Sequence, residues 1–321
     1  MGAMKIGIVG AGMIGSHVAK EVLAGGHTVA MLDASPDRGY IAEVVCQPVD
    51  VSEGNAADFA SVMAFIAENG VQAVVHNAGL IGGAAQRAPW KALGANIGST
   101  ANVAEASRIA GVEQIVYIST QGVYDVDRCR SEAMTESSPV SAARVYAAAK
   151  LSAEHILEAY GRGFGIDVAL LRVANVYGRG HYVAGSSGGR AFNALVEPVA
   201  SGNPGVLLPG AKGLGEWVYV KDVARAVSLA LARPHGSGLM VANIGTGVLT
   251  THEDVMAAVR RCVPDATFEE DGTSGTDVLR QRHQPYDLRV AKVALGYVPE
   301  WDLASGVRDY LDEVRGALAR R

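Results

Sequence analysis

The sequence predicts an α/β molecule, a doubly wound parallel sheet that carries a smaller mixed lobe. Three observations predict it. Short β-rich runs alternate with helical patterns through the first 175 residues, the pattern of parallel strands joined by crossover helices. The first of these runs passes straight into Gly10-Ala-Gly12-Met13-Ile14-Gly15, and a helical pattern follows. Gly10, Asp33, Asp50, Asn77 and Thr120 all fall at expected strand ends, where ligands of such sheets bind.

Taken in order, Lys5–Val9 is the first strand, Ser16–Ala24 a helix and His27–Leu32 a second strand closed by Asp33. Glu43–Val49 reads as a strand ending at Asp50-Val51, and Asp58–Glu68 as a helix. Ala73–His76 is a strand running into Asn77-Ala78-Gly79, Leu93–Ala110 a long helix, and Gln114–Ile118 a strand ending in Ser119-Thr120. An Ala-rich helix over Ala142–Ala159 precedes a strand at Asp167–Val173. After Tyr177-Gly178 the texture changes. A Gly/Ser-rich loop to Gly189, a helix from Ala191, short strands near Val206 and Trp217, and helices at Val223–Ala232, His252–Cys262 and Ala304–Ala319 suit a smaller lobe. Residues 1–175 are therefore expected to form the nucleotide-binding part. Residues 176–321 should form the substrate-binding lobe, interleaved with it.

Bulk composition narrows the function. The chain has 321 residues, 49% hydrophobic and 19% charged, with a net charge of −5. That suits a soluble globular protein. With no Lys/Arg run or basic tail, nucleic acid is not expected as a partner. No apolar run reaches the ~18 residues of a membrane span, and the N-terminus lacks a signal-peptide layout. Cys46, Cys129 and Cys262 are scattered, which fits a reducing cytoplasm. The histidines show no metal-ligand spacing, so no metal site is expected.

The glycine-rich turn has a definite chemistry. Gly10 permits the tight turn, Gly12 lets backbone approach a pyrophosphate, and Gly15 lets the helix pack close to the strand. The helix N-terminus then faces the phosphates. Strand, G-x-G-x-x-G, helix, strand and acid is the context of a dinucleotide site. Asp33 can accept hydrogen bonds from both ribose hydroxyls and would repel a 2′-phosphate, so NAD is expected over NADP. Arg38, a few residues on, is the feature that argues the other way. Further along, Tyr146-Ala-Ala-Ala-Lys150 places a phenol and an ammonium on one helix face. An ammonium beside a phenol favours the phenolate, and a tyrosine so tuned can exchange a proton with an alcohol or ketone. Alone, the pentapeptide equally fits a solvated Tyr and Lys on a helix surface.

Together these motifs resemble the extended short-chain dehydrogenase/reductases, the NAD-dependent epimerase/dehydratase family, whose nucleotide domain is of Rossmann type. The resemblance runs over nearly the whole chain. It takes in Asn96-Ile-Gly-Ser-Thr100, Val116-Tyr-Ile-Ser-Thr-Gln-Gly-Val-Tyr124, Leu171-Arg-Val-Ala-Asn-Val-Tyr-Gly178, Val218-Tyr-Val-Lys-Asp-Val-Ala224 and Leu295-Gly-Tyr-Val-Pro299. It implies that Thr120 holds the substrate oxygen, Tyr146 is the acid/base, and Lys150 holds the nicotinamide ribose while lowering the Tyr146 pKa. It implies an adenine contact at Asp50-Val51, and a cofactor lining of His76, Ala78 and Gly79. Asn96 would steady the central helix and Asn175 would meet substrate. A homodimer through the two long helices is also implied.

Departures from the family pattern bear on substrate. Val9 stands where the family commonly has the first of three glycines. Gln121-Gly122 replaces the Asp-Glu pair that dehydratases place after the Thr. Gly215, followed by Glu216, stands where nucleotide-sugar epimerases have a diphosphate-binding Arg. Losing that Arg beside a carboxylate disfavours a nucleoside diphosphate. His181 in the Gly-rich loop can touch substrate or stand in solvent. Arg280 and Arg282 fall where the smaller lobe should meet substrate and suit a carboxylate or phosphate, though each also fits a surface arginine. The expected function is hydride transfer between NAD and the secondary alcohol or ketone of a small, polar, sugar-derived substrate. A UDP-sugar 4-epimerase with tightly bound NAD, and a catalytically silent NAD-binding protein, are the alternatives.

Overall fold

A computed structural model of the chain describes residues 2–180, 186–208, 213–272 and 284–320. Strand β1 (Lys5–Val9) leads through the glycine turn into α1 (Met13–Ala24), then β2 (Thr28–Asp33), α2 (Arg38–Val45) and β3 (Asp50–Glu53). Next come α3 (Phe59–Glu68) and β4 (Ala73–His76). Two short helices, α4 (Gly82–Arg87) and α5 (Pro89–Leu93), pass through a π-helical turn (Gly94–Gly98) into α6 (Ser99–Ala110). Strand β5 (Gln114–Thr120), α7 (Val145–Phe164) and β6 (Asp167–Val173) complete the regular alternation.

The remainder holds β7 (Asn175–Tyr177), α8 (Ser187–Ala200), β8 (Gly205–Leu207), β9 (Gly215–Tyr219), α9 (Val220–Leu231) and β10 (Leu239–Ile244). After it come β11 (Leu249–Thr250), α10 (His252–Cys262), β12 (Phe268–Glu270), α11 (Arg289–Leu295) and α12 (Leu303–Ala319). Seven strands form one parallel sheet in the order β10-β6-β5-β4-β1-β2-β3. Both its faces are covered, which is why β4, β5 and β6 are apolar and buried along nearly their whole length. Strand β10 comes from the C-terminal half and pairs with β6, so the two halves of the chain share the large sheet. The smaller lobe carries the sheets β11-β9-β7 and β12-β8. No helix among the described residues is long and apolar enough to cross a membrane.

Residues 43–49 depart from expectation. They do not form a strand; α2 occupies Arg38–Val45 and β3 begins only at Asp50. The Asp37 carboxylate accepts from Tyr40 N at 2.9 Å and caps the helix, as capping aspartates do. Ile41, Val44 and Val45 then bury one helical face. Cap and amphipathic spacing outweigh the β propensity of Val44-Val45. The expected helix over 93–110 is instead broken, with the π turn inserted around Asn96.

Candidate active site

The site is built at the carboxyl edge of the large sheet. Gly10 turns there with φ +103° and donates its N–H to Leu32 O at 2.8 Å. A Cβ on Gly15 would run into the Gly10 carbonyl oxygen, so only glycine lets α1 start so close to β1. A Cβ on Gly12 would meet nothing within 4 Å. Gly12 therefore borders open space just where α1 presents its first amides, and Met13 and Ile14 form the first turn. That is the cradle a pyrophosphate needs. Asp33 closes β2, and its carboxylate accepts from Ala11 N at 2.8 Å and Ser35 N at 2.9 Å. The acid is thereby fixed beside the glycine turn. These residues fit NAD. Arg38 donates Nη2 to Val51 O at 2.9 Å, so it is engaged by backbone.

Two expected cofactor contacts change. Asp50 pairs in register with Ala30, at the amino end of β3, and its carboxylate lies 3.4 Å from Lys5 Nζ. It is on the wrong edge of the sheet to reach an adenine, and Val51 is one residue further in. The acid at the carboxyl end of β3 is Glu53, opposite Asp33. The strand starts later than expected because α2 takes the residues before it. The His76 side chain is also turned away from the groove. It is fully buried, with Nε2 3.0 Å from Thr100 Oγ1 and its ring 5.3 Å from that of Tyr117. Burial, and then the charge of Lys150, push its pKa down to about 3. The groove at the end of β4 is left to Asn77, Ala78 and Gly79, all accessible.

Asn96 holds that loop in place. It is 1% exposed and donates Nδ2 to Leu80 O at 3.0 Å and Ala92 O at 2.8 Å. A Cβ on Gly79 would strike the Asn96 amide oxygen. Glycine is what lets the loop and the π turn meet.

Thr120 ends β5 and opens a 3₁₀ turn, with Gly122 N donating to Oγ1 at 3.2 Å. Helix α7 starts alongside, and Tyr146 lies in its first turn, its phenol near the Thr120 side chain. Lys150, one turn later, is 3% exposed. Its Nζ donates to Ile118 O at 2.8 Å and lies 4.4 Å from the Tyr117 ring centre and 6.0 Å from that of Tyr146. The structure thus brings Thr120, Tyr146 and Lys150 together at one strand end. The expected lowering of the Tyr146 pKa is not found. Burial pushes this phenol up, only partly offset by Thr120. Lys150 is itself pulled down to about 7 by burial, and it lies over the ring faces, so it does little for the phenolate.

In the smaller lobe, Asn175 opens β7 and its amide lies between Gly188 and Gly215. Added Cβ atoms on these glycines would come within 2.9 Å of Oδ1 and 3.3 Å of Nδ2 respectively. Trp217 is buried beside them, 5.0 Å from the Phe192 ring and 6.1 Å from that of His252. Glu216 is wholly buried. Its carboxylate accepts from Thr246 N at 2.9 Å, Gly247 N at 3.0 Å and Tyr286 N at 2.7 Å. It is spent inside the lobe and faces no substrate, which removes half of the sequence argument against a diphosphate. His181, Arg280 and Arg282 lie outside the described residues.

Comparison with known proteins shows the family. The profile of the NAD dependent epimerase/dehydratase family matches residues 6–245. The chain is 30% identical over 304 residues to the UDP-glucose 4-epimerase of Mycolicibacterium smegmatis, covering 92% of this chain and 94% of that protein. It is 30% identical over 260 residues to the UDP-glucose 4-epimerase of Bacillus subtilis, covering 74% and 76%. Among solved structures it is similar to the UDP-glucose 4-epimerase of Thermotoga maritima with UDP-glucose, at TM-score 0.85 and 26% identity over 98% of this chain and 100% of that one. The Thermus thermophilus UDP-glucose 4-epimerase in complex with NAD superposes at TM-score 0.83 and 29% identity, again over 98% and 100%. The fold, the NAD cradle and the Thr120–Tyr146–Lys150 set lead to one conclusion: this chain belongs to the NAD-dependent epimerase/dehydratase family and is an NAD-dependent enzyme acting on a small molecule.

Proposed function

We propose that the protein is a nucleotide-sugar 4-epimerase that keeps NAD bound and oxidises, then re-reduces, one secondary alcohol of the sugar. The observation that carries this reading is the match along almost the whole chain to UDP-glucose 4-epimerases, with Thr120, Tyr146 and Lys150 converging at one strand end. In the first half-reaction the Thr120 hydroxyl holds the substrate oxygen, and Tyr146 takes its proton. NAD, held by the Gly10–Gly15 turn and Asp33, would supply the hydride acceptor and donor for the sugar carbon. In the second half-reaction Tyr146 gives the proton back to the ketone oxygen. Taking the proton in the first half-reaction requires the phenolate, which burial opposes; once the proton is taken, the raised pKa holds the phenol in the form required for that return. Lys150 meets the nicotinamide ribose. Epimerisation also needs the ketone to present its other face, so the site must hold the sugar loosely and its carrier firmly.

A second reading is a net dehydrogenase on a small sugar-derived substrate. Gly215 favours it, because the arginine that would grip a diphosphate is missing. One experiment separates the two. Purified protein is given UDP-glucose, and separately free sugars, sugar acids and polyols with added NAD. The epimerase reading expects UDP-galactose with no net NADH absorbance. Net NADH from a simple substrate, with UDP-glucose untouched, would establish the dehydrogenase. The homodimer belongs to the same proposal. Helices α6 and α7 lie side by side and leave Ile109 and Phe164 more than half exposed; sedimentation of the purified protein measures it.

A further inference from the structure

Behind the Tyr146 phenol runs a buried chain of charge that the reaction above does not itself use. Glu154 lies one helical turn beyond Lys150 on α7 and is 3% exposed. A carboxylate buried alone is costly. Arg172 on β6 meets it with Nε at 3.1 Å from Oε1 and 3.2 Å from Oε2, and with Nη2 at 2.7 Å from Oε2. Ser119 on β5 donates its hydroxyl to Oε1. Arg172 also gives Nη1 to the Glu136 carbonyl at 3.1 Å and stacks over the Tyr124 ring at 4.9 Å. The carboxylate is thereby fixed from two strands, directly behind the site.

Lys150 needs such a neighbour. Its Nζ has the Ile118 carbonyl and the Tyr117 ring face, and neither is a full counter-charge. The groups facing it are His76 from β4, Tyr117 from β5, and Tyr146 and Glu154 from α7, with Arg172 from β6 behind Glu154. Burial keeps His76, Tyr117 and Tyr146 neutral. Burial lowers Lys150, and the charge of Glu154 is what raises it. Arg172 pairs with Glu154 directly, and Lys150, one helical turn away, feels the same carboxylate through its charge; without it the two buried cations would repel each other.

We propose that Glu154 is a positioning residue for Lys150: fixed by Arg172 and Ser119, it supplies the counter-charge that lets the buried amine meet the ribose of bound NAD as an ammonium. This deepens the reading of Lys150 as the ribose ligand and rests on it. A purely structural role, stapling α7 to β5 and β6, would weaken NAD binding equally at every pH.

The test is NAD affinity between pH 5.5 and 9, measured by calorimetry on the full chain, in the parent and in Glu154→Gln and Glu154→Asp. The amide keeps the shape and loses the charge. Affinity should then fall off at lower pH than in the parent. A displacement of about one pH unit would weaken NAD about tenfold at pH 7.5 and less than about twofold at pH 5.5. Glu154→Asp keeps the charge and should hold the midpoint near the parent's. An unmoved midpoint in Glu154→Gln, equal weakening at every pH, or an equal displacement in Glu154→Asp overturns the proposal. NAD binding needs no sugar, so an absence of UDP-sugar turnover would sink the epimerase reading and leave this result standing.

Discussion

At Tyr146, burial and the Thr120 side chain act in opposite directions, and burial wins. The phenol rests as an acid beside Thr120, and it must first lose that proton before it can take one from an alcohol. Tyr146→Phe removes the proton acceptor and donor together while keeping the ring. Turnover should fall by about 10²–10⁴, the usual worth of a positioned acid/base. NAD affinity should stay within about twofold, because the glycine turn and Asp33 lie elsewhere on the sheet edge; the check is turnover beside NAD content of the purified variant. Such single residues were legible in the sequence when their position is set by distance from a strand end. Gly10, Gly15, Asp33 and Thr120 are of that kind, whereas Tyr146 and Lys150 are read from their spacing on one helix face. Arg172 and Glu154 follow neither pattern. They are 18 residues apart, and their meeting depends on how α7 packs on the sheet, which no local pattern states. The true start of β3 escaped for a simpler reason: a strand of four residues gives little periodicity to read.

At the scale of elements, His76 shows how α6 is held on the sheet. It closes β4, and Nε2 meets the Thr100 hydroxyl on α6, with Ser99 Oγ at 3.4 Å. Buried in this way it stays neutral down to about pH 3, against an ordinary value of 6.5. The unfolded chain binds a proton below pH 6.5 and the folded chain does not, so stability is lost as pH falls through that window. The loss is of order 1.4 kcal/mol per pH unit. His76→Gln cannot titrate. Its melting temperature should fall less between pH 6.5 and pH 4 than the parent's, even if it starts lower for want of the ring; circular dichroism melts measure both. Parallel slopes would show that His76 does not control the acid limb. The same element was only half legible. Leu93–Ala110 has a helical pattern throughout, yet the chain inserts a π turn at Gly94–Gly98 so that Asn96 can reach both Leu80 O and Ala92 O. Such bulges gather at functional sites, and hydrophobic periodicity does not announce them.

At the scale of the molecule, the question is how the smaller lobe is held to the NAD-binding sheet. Part of the connection is the backbone ladder of β10, which returns from the lobe to pair with β6. Glu216 adds to it. From β9 it accepts the amides of Thr246 and Gly247, just past the end of β10, and of Tyr286 on the way to α11. One buried carboxylate therefore ties three stretches of chain, each from a different part of the lobe boundary. Its neighbour Gly215 keeps the Asn175 amide and the Trp217 indole close, so the geometry at the substrate side depends on β9 staying in register. Glu216→Gln replaces one acceptor oxygen with a donor that faces an N–H. Leaving one or two buried amides unpaired costs about 2–4 kcal/mol, and the loss falls on the lobe boundary rather than on the glycine cradle. The melting temperature should drop by several degrees, since about 1 kcal/mol moves a chain of this size by roughly 1.5 °C. The KM for the sugar substrate should rise about tenfold while NAD affinity stays within about twofold, because the lobe then samples more positions around Asn175. Unchanged KM at a lowered melting temperature would mean that Glu216 stabilises the lobe without shaping the site. NAD affinity falling in step with KM would mean that cradle and lobe are one cooperative unit.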